Sequence, residues 1–214
     1  RNNMNLLAAS MEIGFHPATA LLLGGLVAAI LRGRFASATL VIAPLFGLWY
    51  VSELEVGSFS TLNLFGYEIL SVAVDSQAKL FGYLFHLAAL VAGIYSFHLK
   101  DTWQISTALL YAASAVGVAF AGDLLSLFLW WEGLAITSVF QIWGRRTKQA
   151  EDAGFRYLFF HISSGLLLLA GILLRFHDQG SSALSLQPLT QSLESGDFGA
   201  LLILLAIGIK AAFP

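Results

Sequence analysis

The sequence predicts an all-α integral membrane protein, and three observations lead to that prediction. The 214 residues are 57% hydrophobic and only 11% charged, whereas soluble domains carry about 25% charged residues. Several apolar segments approach the length of about 20 residues that a helix needs to cross a bilayer. Ionisable residues also lie inside these segments, where a charge is costly unless it has a partner or a function.

Composition also excludes several classes of protein. The chain has no cysteine, so it forms no disulfide, thiolate metal site or thiol nucleophile. Its net charge of -2 gives no sign of a nucleic-acid partner. No phosphate-binding loop, paired-histidine zinc motif or nucleophile elbow is present in the sequence. We therefore expect no cofactor and no metal, and we do not expect an enzyme that acts alone.

About seven segments are predicted to span the membrane. They cover about residues 15–31, 36–52, 80–97, 105–121, 124–143, 155–174 and 198 to the end. Because no internal repeat or low-complexity linker separates them, residues 1–214 are predicted to form a single transmembrane domain. Pro214 stands within an apolar run with no polar cap, so we expect the seventh helix to be incomplete and the protein to continue beyond it.

The distribution of basic residues predicts the orientation. Lys and Arg in short loops favour the cytoplasmic side. One side is predicted to hold seven of them, Arg32, Arg34, Lys100, Arg145, Arg146, Lys148 and Arg156, and the other holds Arg1, Lys79 and Arg175. The predicted protein is thus a multi-pass protein of the inner (cytoplasmic) membrane with its N-terminus outside.

Two longer connections lie on the predicted outer side. Residues 53–78 contain Leu62, Leu64, Ile69 and Val72 around a central Gly66, a pattern that predicts two short strands and a β-hairpin. Residues 176–197 are rich in Ser, Gln and Gly and are predicted to form a polar loop.

Glu132 and Lys210 are the charges that stand within predicted spans. Glu132 lies eight residues after Leu124 and Lys210 twelve after Phe198, which corresponds to depths of about 12 Å and about 18 Å. Because both helices enter from the outside, the two charges are predicted to pair near the middle of the membrane. Two structural alternatives remain open: a static pair that only joins helices, and a snorkelling lysine at the end of a short helix.

Two histidines also lie within spans. His161 is followed by Ser163 and Ser164, small polar residues that admit water, and its ordinary pKa suits proton relay near neutral pH. Packing is an equally good explanation for His161 and the better one for His86.

Three stretches resemble the antiporter-like subunits, the large membrane subunits of respiratory complex I, membrane-bound hydrogenases and Mrp-type sodium/proton antiporters. Residues 122–140, with Trp131-Glu132-Gly133, resemble their glutamate-bearing fifth helix, and residues 153–171 around His161 resemble their sixth. Residues 207–214, with Lys210, resemble their broken, lysine-bearing seventh helix. The details at Arg145-Arg146-Thr147 and Arg156-Tyr157-Leu158 are most similar to the D-type member of the Mrp antiporters.

The resemblance implies a function and a set of partners. Lys210 would carry the proton, Glu132 would be its counter-charge, and His161 would relay protons from the cytoplasmic side. The chain would be the N-terminal part of a longer fold with a second, inverted half. Its partners would be the lipid bilayer, other membrane subunits of a multisubunit complex, protons and Na+. A proton-pumping subunit of a complex I-like NADH-quinone oxidoreductase or hydrogenase, and a membrane partner in inorganic-carbon uptake, remain alternatives.

Overall fold

A computed structural model describes residues 13–31, 33–64, 66–180, 184–186, 192–193 and 196–211. Within these residues, seven helices of at least 12 residues accompany one two-stranded sheet. The helices are α1 (Thr19–Ile30), α2 (Arg34–Glu53), α3 (Ser76–Tyr95), α4 (Thr102–Ala119), α5 (Leu124–Trp143), α6 (Lys148–Gln179) and α7 (Phe198–Lys210). The strands are β1 (Phe59–Leu64) and β2 (Tyr67–Ala73).

The helices identify a multi-pass membrane protein. Four of those described, α2, α3, α5 and α6, are long and apolar enough to cross a bilayer, and α1 and α7 are shorter apolar helices of 12 and 13 residues. The predicted membrane class is therefore confirmed, while the number of seven spans stays a prediction. The predicted break of the seventh helix at Pro214 lies outside the described residues, as do Arg1 and Arg32.

Side-chain caps explain where the later helices begin. Free backbone N–H groups in the first turn are satisfied by side-chain oxygens of the residue before the helix. Asp75, Asp101, Asp123, Thr147 and Asp197 accept such hydrogen bonds at the starts of α3 to α7. The predicted start of α5 at Leu124 is correct, because Asp123 and Ser126 form a reciprocal capping box.

Helix α6 is longer than predicted at both ends. It has 32 residues and is about 48 Å long, whereas the hydrocarbon core is about 30 Å thick. The sequence placed its start near residue 155, but the cap at Thr147 starts it at Lys148. The predicted loop over 176–197 is wrong for residues 176–179, which continue the helix. Arg175, counted above as a loop residue, is therefore a helical residue with a buried side chain.

The predicted hairpin within residues 53–78 is confirmed. β1 and β2 are antiparallel, with Leu62 opposite Ile69, and Gly66 in the turn has a φ of 83°. This left-handed backbone conformation favours glycine. Ile69 and Val72 are buried, and the N–H of Ala73 donates to the carbonyl of Phe120 at 2.9 Å. The hairpin is thus anchored, and its position on the outer face stays a prediction.

The chain forms two compact units, Arg1–Gly122 and Asp123–Pro214. The first contains α1 to α4 and the hairpin, and the second contains α5 to α7. In the first unit, a Cβ added to Gly24 would lie 2.5 Å from the Cβ of Ala43, and Ser106 Oγ donates to Gly25 O at 2.8 Å. Gly24 and Gly25 therefore allow close helix packing. The single-domain prediction stays a prediction.

The second unit is built around the contact between α6 and α7. Leu168 and Ile172 of α6 pack with Ile203 and Ala206 of α7, and all four side chains are buried. A Cβ added to Gly171 would lie 2.6 Å from the carbonyl oxygen of Gly199, so this glycine lets the two backbones approach closely. This packing fixes the helix that carries Lys210.

Candidate functional site

Glu132 and Lys210 are in contact within the second unit. Lys210 Nζ lies 3.4 Å from Glu132 Oε1, and the two side chains are 11% and 25% exposed, respectively. Glu132 stands in the middle of α5 and Lys210 is the last residue of α7, so two helices that are separate in sequence bring the charges together. The expected contact is observed, and its role in transport stays a prediction.

Trp131 completes the surroundings of the ammonium group. Lys210 Nζ donates to the Trp131 carbonyl oxygen at 3.2 Å and lies 4.8 Å from the centroid of the Trp131 ring. An aromatic face attracts a cation through its quadrupole, and the C-terminal end of α7 carries partial negative charge. The lysine cation is therefore stabilised by a carboxylate, a carbonyl, a ring and a helix end.

Gly165 of α6 provides the space for the Glu132 carboxylate. A Cβ at this position would lie 2.5 Å from Glu132 Oε1 and 2.7 Å from its carboxyl carbon. Any larger residue would displace the carboxylate, because real Cβ atoms do not approach so closely. Gly165 thus contributes to the site as well as to helix packing.

The contact between Lys210 and Glu132 is longer than a tight ion pair. Charge-assisted N–H···O bonds in tight pairs measure about 2.7–2.9 Å, so 3.4 Å between Lys210 and Glu132 is a loose ion pair. A lysine ammonium is a flexible point charge that can release a proton, unlike a guanidinium. The arrangement can therefore hold a proton on Lys210 while Glu132 is near, and release it when that contact weakens.

His161 lies on α6 near this pair. Its charge would interact electrostatically with that of Lys210, and its ring stacks on Tyr157 with a centroid distance of 3.9 Å. Its Nδ1 atom is buried and has no hydrogen-bond partner in the part of the chain that the structure describes. The ring is thus held by Tyr157, and its Nδ1 atom is shielded from solvent.

The two serines after His161 were expected to admit water, but both donate hydrogen bonds to backbone carbonyls. Ser163 Oγ donates to Phe159 O at 2.8 Å within α6, and Ser164 Oγ donates to Ala206 O of α7 at 2.8 Å. Ser164 is fully buried. It therefore links α6 to the helix that carries Lys210.

His161→Ala is expected to slow transport several-fold without preventing assembly. The loss removes one group that accepts and donates protons near neutral pH, while general acid–base groups typically contribute about 10²-fold or more when no other route exists. The measurement is the rate of proton transport from pH 6 to pH 8 with matched amounts of protein. A rate that is unchanged across this range would show that His161 only packs.

His86 belongs to the first unit and has a packing role. It is fully buried, its Nδ1–H donates to the Gly82 carbonyl oxygen at 2.8 Å, and its ring fills the space beside Gly47. This agrees with the interpretation that the sequence favoured.

Sequence reasoning missed three features of the second unit. It did not identify the contacts that Trp131 and Gly165 make with the charged pair. It also placed Arg175 in a loop, whereas Arg175 Nε lies 3.1 Å from Asp197 Oδ2 and the two side chains are 6% and 14% exposed, respectively. The sequence indicated this pair only weakly, through an arginine near the end of α6 and an aspartate at the N-terminal cap of α7.

One family model matches part of the chain. Residues 121–214 match the family model described as "NADH:quinone oxidoreductase/Mrp antiporter, TM", and this range contains Glu132, His161 and Lys210. The resemblance to the antiporter-like family is confirmed. No curated protein matches the chain.

Two solved structures contain chains with a similar fold. One is in the membrane-bound sulfane sulfur reductase, an archaeal respiratory membrane complex, with 22% identity, a TM-score of 0.77 and 91% of this chain covered. The other is in the Mrp complex from Dietzia sp. DQ12-45-1b, with 21% identity, a TM-score of 0.73 and 91% of this chain covered. The alignments cover 33% and 22% of those two chains, so this chain spans about a third or less of their length.

Proposed function

We propose that this chain is an ion-translocating membrane protein that moves protons through the Glu132–Lys210 pair as one subunit of a multisubunit cation/proton antiporter. The observation that carries the proposal is the 3.4 Å contact between the two charges, largely shielded from solvent within a group of apolar helices. Such charges are expensive in a membrane and mark ion pathways. The match of residues 121–214 to the antiporter family supports the same function.

The chemistry of the proposed step involves one proton. Lys210 Nζ holds the proton while Glu132 Oε1 and the Trp131 carbonyl oxygen stabilise the cation. When another positive charge approaches, or when the Glu132 carboxylate turns away, the ammonium transfers its proton to water and becomes a neutral amine. His161 supplies the next proton from the cytoplasmic side. Each unit charge that crosses 100 mV exchanges about 2.3 kcal/mol with the membrane potential.

The proposal is tested with the full-length protein in its assembled complex, reconstituted in sealed vesicles. An imposed Na+ gradient is expected to drive proton movement in the opposite direction, recorded with an enclosed pH-sensitive dye. Vesicles with complexes that contain the Lys210→Ala protein serve as the control. Equal dye signals from both preparations would contradict the proposal, because proton movement would then not need Lys210.

A second candidate function has one supporting observation. The similar chain in the archaeal complex belongs to a respiratory membrane complex, which favours a redox-driven proton pump. The chains that purify with this protein distinguish the two: iron–sulfur and quinone-site proteins indicate a redox pump, and small hydrophobic membrane subunits indicate an antiporter.

The proposed orientation places the hairpin outside and the α5–α6 connection inside. Single cysteines at Glu68 and Gln149 test this cleanly, because the chain has no cysteine and both positions are exposed. In intact cells, an impermeant thiol reagent is expected to label Glu68→Cys and to leave Gln149→Cys unmodified until the membrane is opened. Labelling with the reverse preference would show that the positive-inside bias predicts the wrong orientation.

A further inference from the structure

A second buried ion pair lies at the other end of the helix that carries Lys210. Arg175 Nε of α6 and Asp197 Oδ2 at the start of α7 are 3.1 Å apart, although the N–H is poorly aligned for a hydrogen bond. Arg175 Nη2 also donates to Ser192 Oγ at 3.2 Å. The attraction between two buried charges often does no more than offset the penalty of removing them from water, so a buried pair is weak support for a purely stabilising role.

Asp197 has two structural roles at once. Its Oδ1 atom accepts from the backbone N–H of Ala200 at 3.0 Å and so caps α7, while its Oδ2 atom faces Arg175. Beside it, a Cβ added to Gly199 would lie 2.6 Å from Arg175 Cγ and 2.8 Å from the Gly171 carbonyl oxygen. The start of α7 is therefore held against α6 with little freedom to slide.

Helix α7 transmits this constraint to Lys210. The helix runs without interruption from Phe198 to Lys210, and thirteen residues at about 1.5 Å separate Asp197 from Lys210 by about 20 Å. Near its far end, Ser164 of α6 donates to Ala206 O. A shift or rotation at Asp197 would thus move the lysine relative to Glu132, which stands on a different helix.

We propose that the Arg175–Asp197 ion pair is a positioning element that sets where α7 holds Lys210 against Glu132. In this proposal neither residue binds the transported proton. The positioning role itself does not depend on the proposed function, but its effect on transport does. The ionisable groups that face Lys210 within the described residues of this unit are Glu132 from α5 and His161 from α6. If α7 moves, the distance to Glu132 changes most, because that contact is direct.

The principal test is Asp197→Asn in the full-length protein within its assembled complex. Asparagine can still cap the Ala200 N–H, but it removes the charge that pairs with Arg175. We expect the pH midpoint of transport to move toward acid by about one unit, because a weaker Glu132 contact lets Lys210 release its proton more readily. The fluorescence of Trp131, which lies against Lys210 Nζ, is expected to titrate with the same displaced midpoint after subtraction of the Trp131→Phe signal.

The fluorescence titration separates this inference from the proposed function, because it needs no transport. A displaced fluorescence midpoint in a protein that moves no protons would support the positioning role and reject the transport role. Unchanged fluorescence and transport midpoints in Asp197→Asn would overturn the inference.

Two further variants keep the test decisive. The double variant Arg175→Gln/Asp197→Asn removes both charges, so it is expected to restore the amount of folded protein if the single change lowers it, while the midpoint stays displaced. A return of the double variant to the original midpoint would show that the pair is only structural. The matched control is Asp152→Asn, which removes an exposed partner of Lys148, 3.0 Å away on the same helix, and is expected to leave both midpoints unchanged.

Discussion

Lys210→Arg is expected to abolish ion transport in a protein that still folds and assembles. Arginine keeps the positive charge and can remain in contact with Glu132 and the Trp131 carbonyl oxygen, which lie 3.4 Å and 3.2 Å from the lysine nitrogen. It does not release its proton near neutral pH, because its charge is delocalised over the guanidinium group. The measurement is proton flux in vesicles that contain equal amounts of the original and variant complexes.

Matched variants determine what such a loss means. Lys148→Arg makes the same chemical change at an exposed position of α6 and is expected to leave the flux unchanged. Lys210→Ala and Glu132→Ala are also expected to abolish or strongly reduce transport, and each leaves a charge without its partner at a cost of about 3–5 kcal/mol. Full activity of Lys210→Arg would reject Lys210 as the proton carrier, while the pair would remain a structural contact.

Gly165→Ala is expected to reduce transport by about tenfold to a hundredfold with little loss of stability. The added Cβ would lie within 3 Å of three atoms of the Glu132 carboxylate group, and a displacement of about 1 Å at a reacting group can cost about a hundredfold in rate. The carboxylate is the flexible end of a long side chain and can move aside. Alanine also favours the helix by about 1 kcal/mol relative to glycine, which offsets the cost of that movement.

Proton flux of the purified complex tests the expected loss of transport. Thermal unfolding of the same complex tests the expected small change in stability. The control is Leu166→Ala, which changes the next residue of α6 at a side chain that is 63% exposed, and it is expected to keep most of the flux. If Gly165→Ala unfolds at the original temperature and transports at the original rate, the position of the Glu132 carboxylate does not limit transport.

The sequence was sufficient for the membrane class, the helices and the two principal charges. Apolar segments of spanning length and a shortage of charge require a bilayer, and these properties are local. The alternating residues around Gly66 predicted the hairpin for the same reason, since strand periodicity and turn chemistry depend on neighbours in sequence. Glu132 and Lys210 were found because a charge inside an apolar segment is conspicuous, and the contact between them was expected because each needs a partner.

The helix ends were less predictable because hydropathy alone does not mark them. Thr147 starts α6 with a side-chain hydrogen bond, and the helix then extends past the apolar segment at both ends. Apolar residues indicate which part of a helix lies in the lipid, whereas capping and backbone hydrogen bonds decide where the helix begins and ends. For this reason Arg175, which was predicted to lie in a loop, is part of α6.

Tertiary structure alone decided the surroundings of the charges. The carbonyl of Trp131 contacts Lys210, the missing side chain of Gly165 makes room for Glu132, and Arg175 meets Asp197 at the start of α7. A backbone carbonyl and a glycine carry no distinctive signal in sequence, and an arginine near a polar connection looks like an ordinary loop residue. These contacts depend on how α5, α6 and α7 are rotated and spaced, which is set by packing among side chains that are distant in sequence.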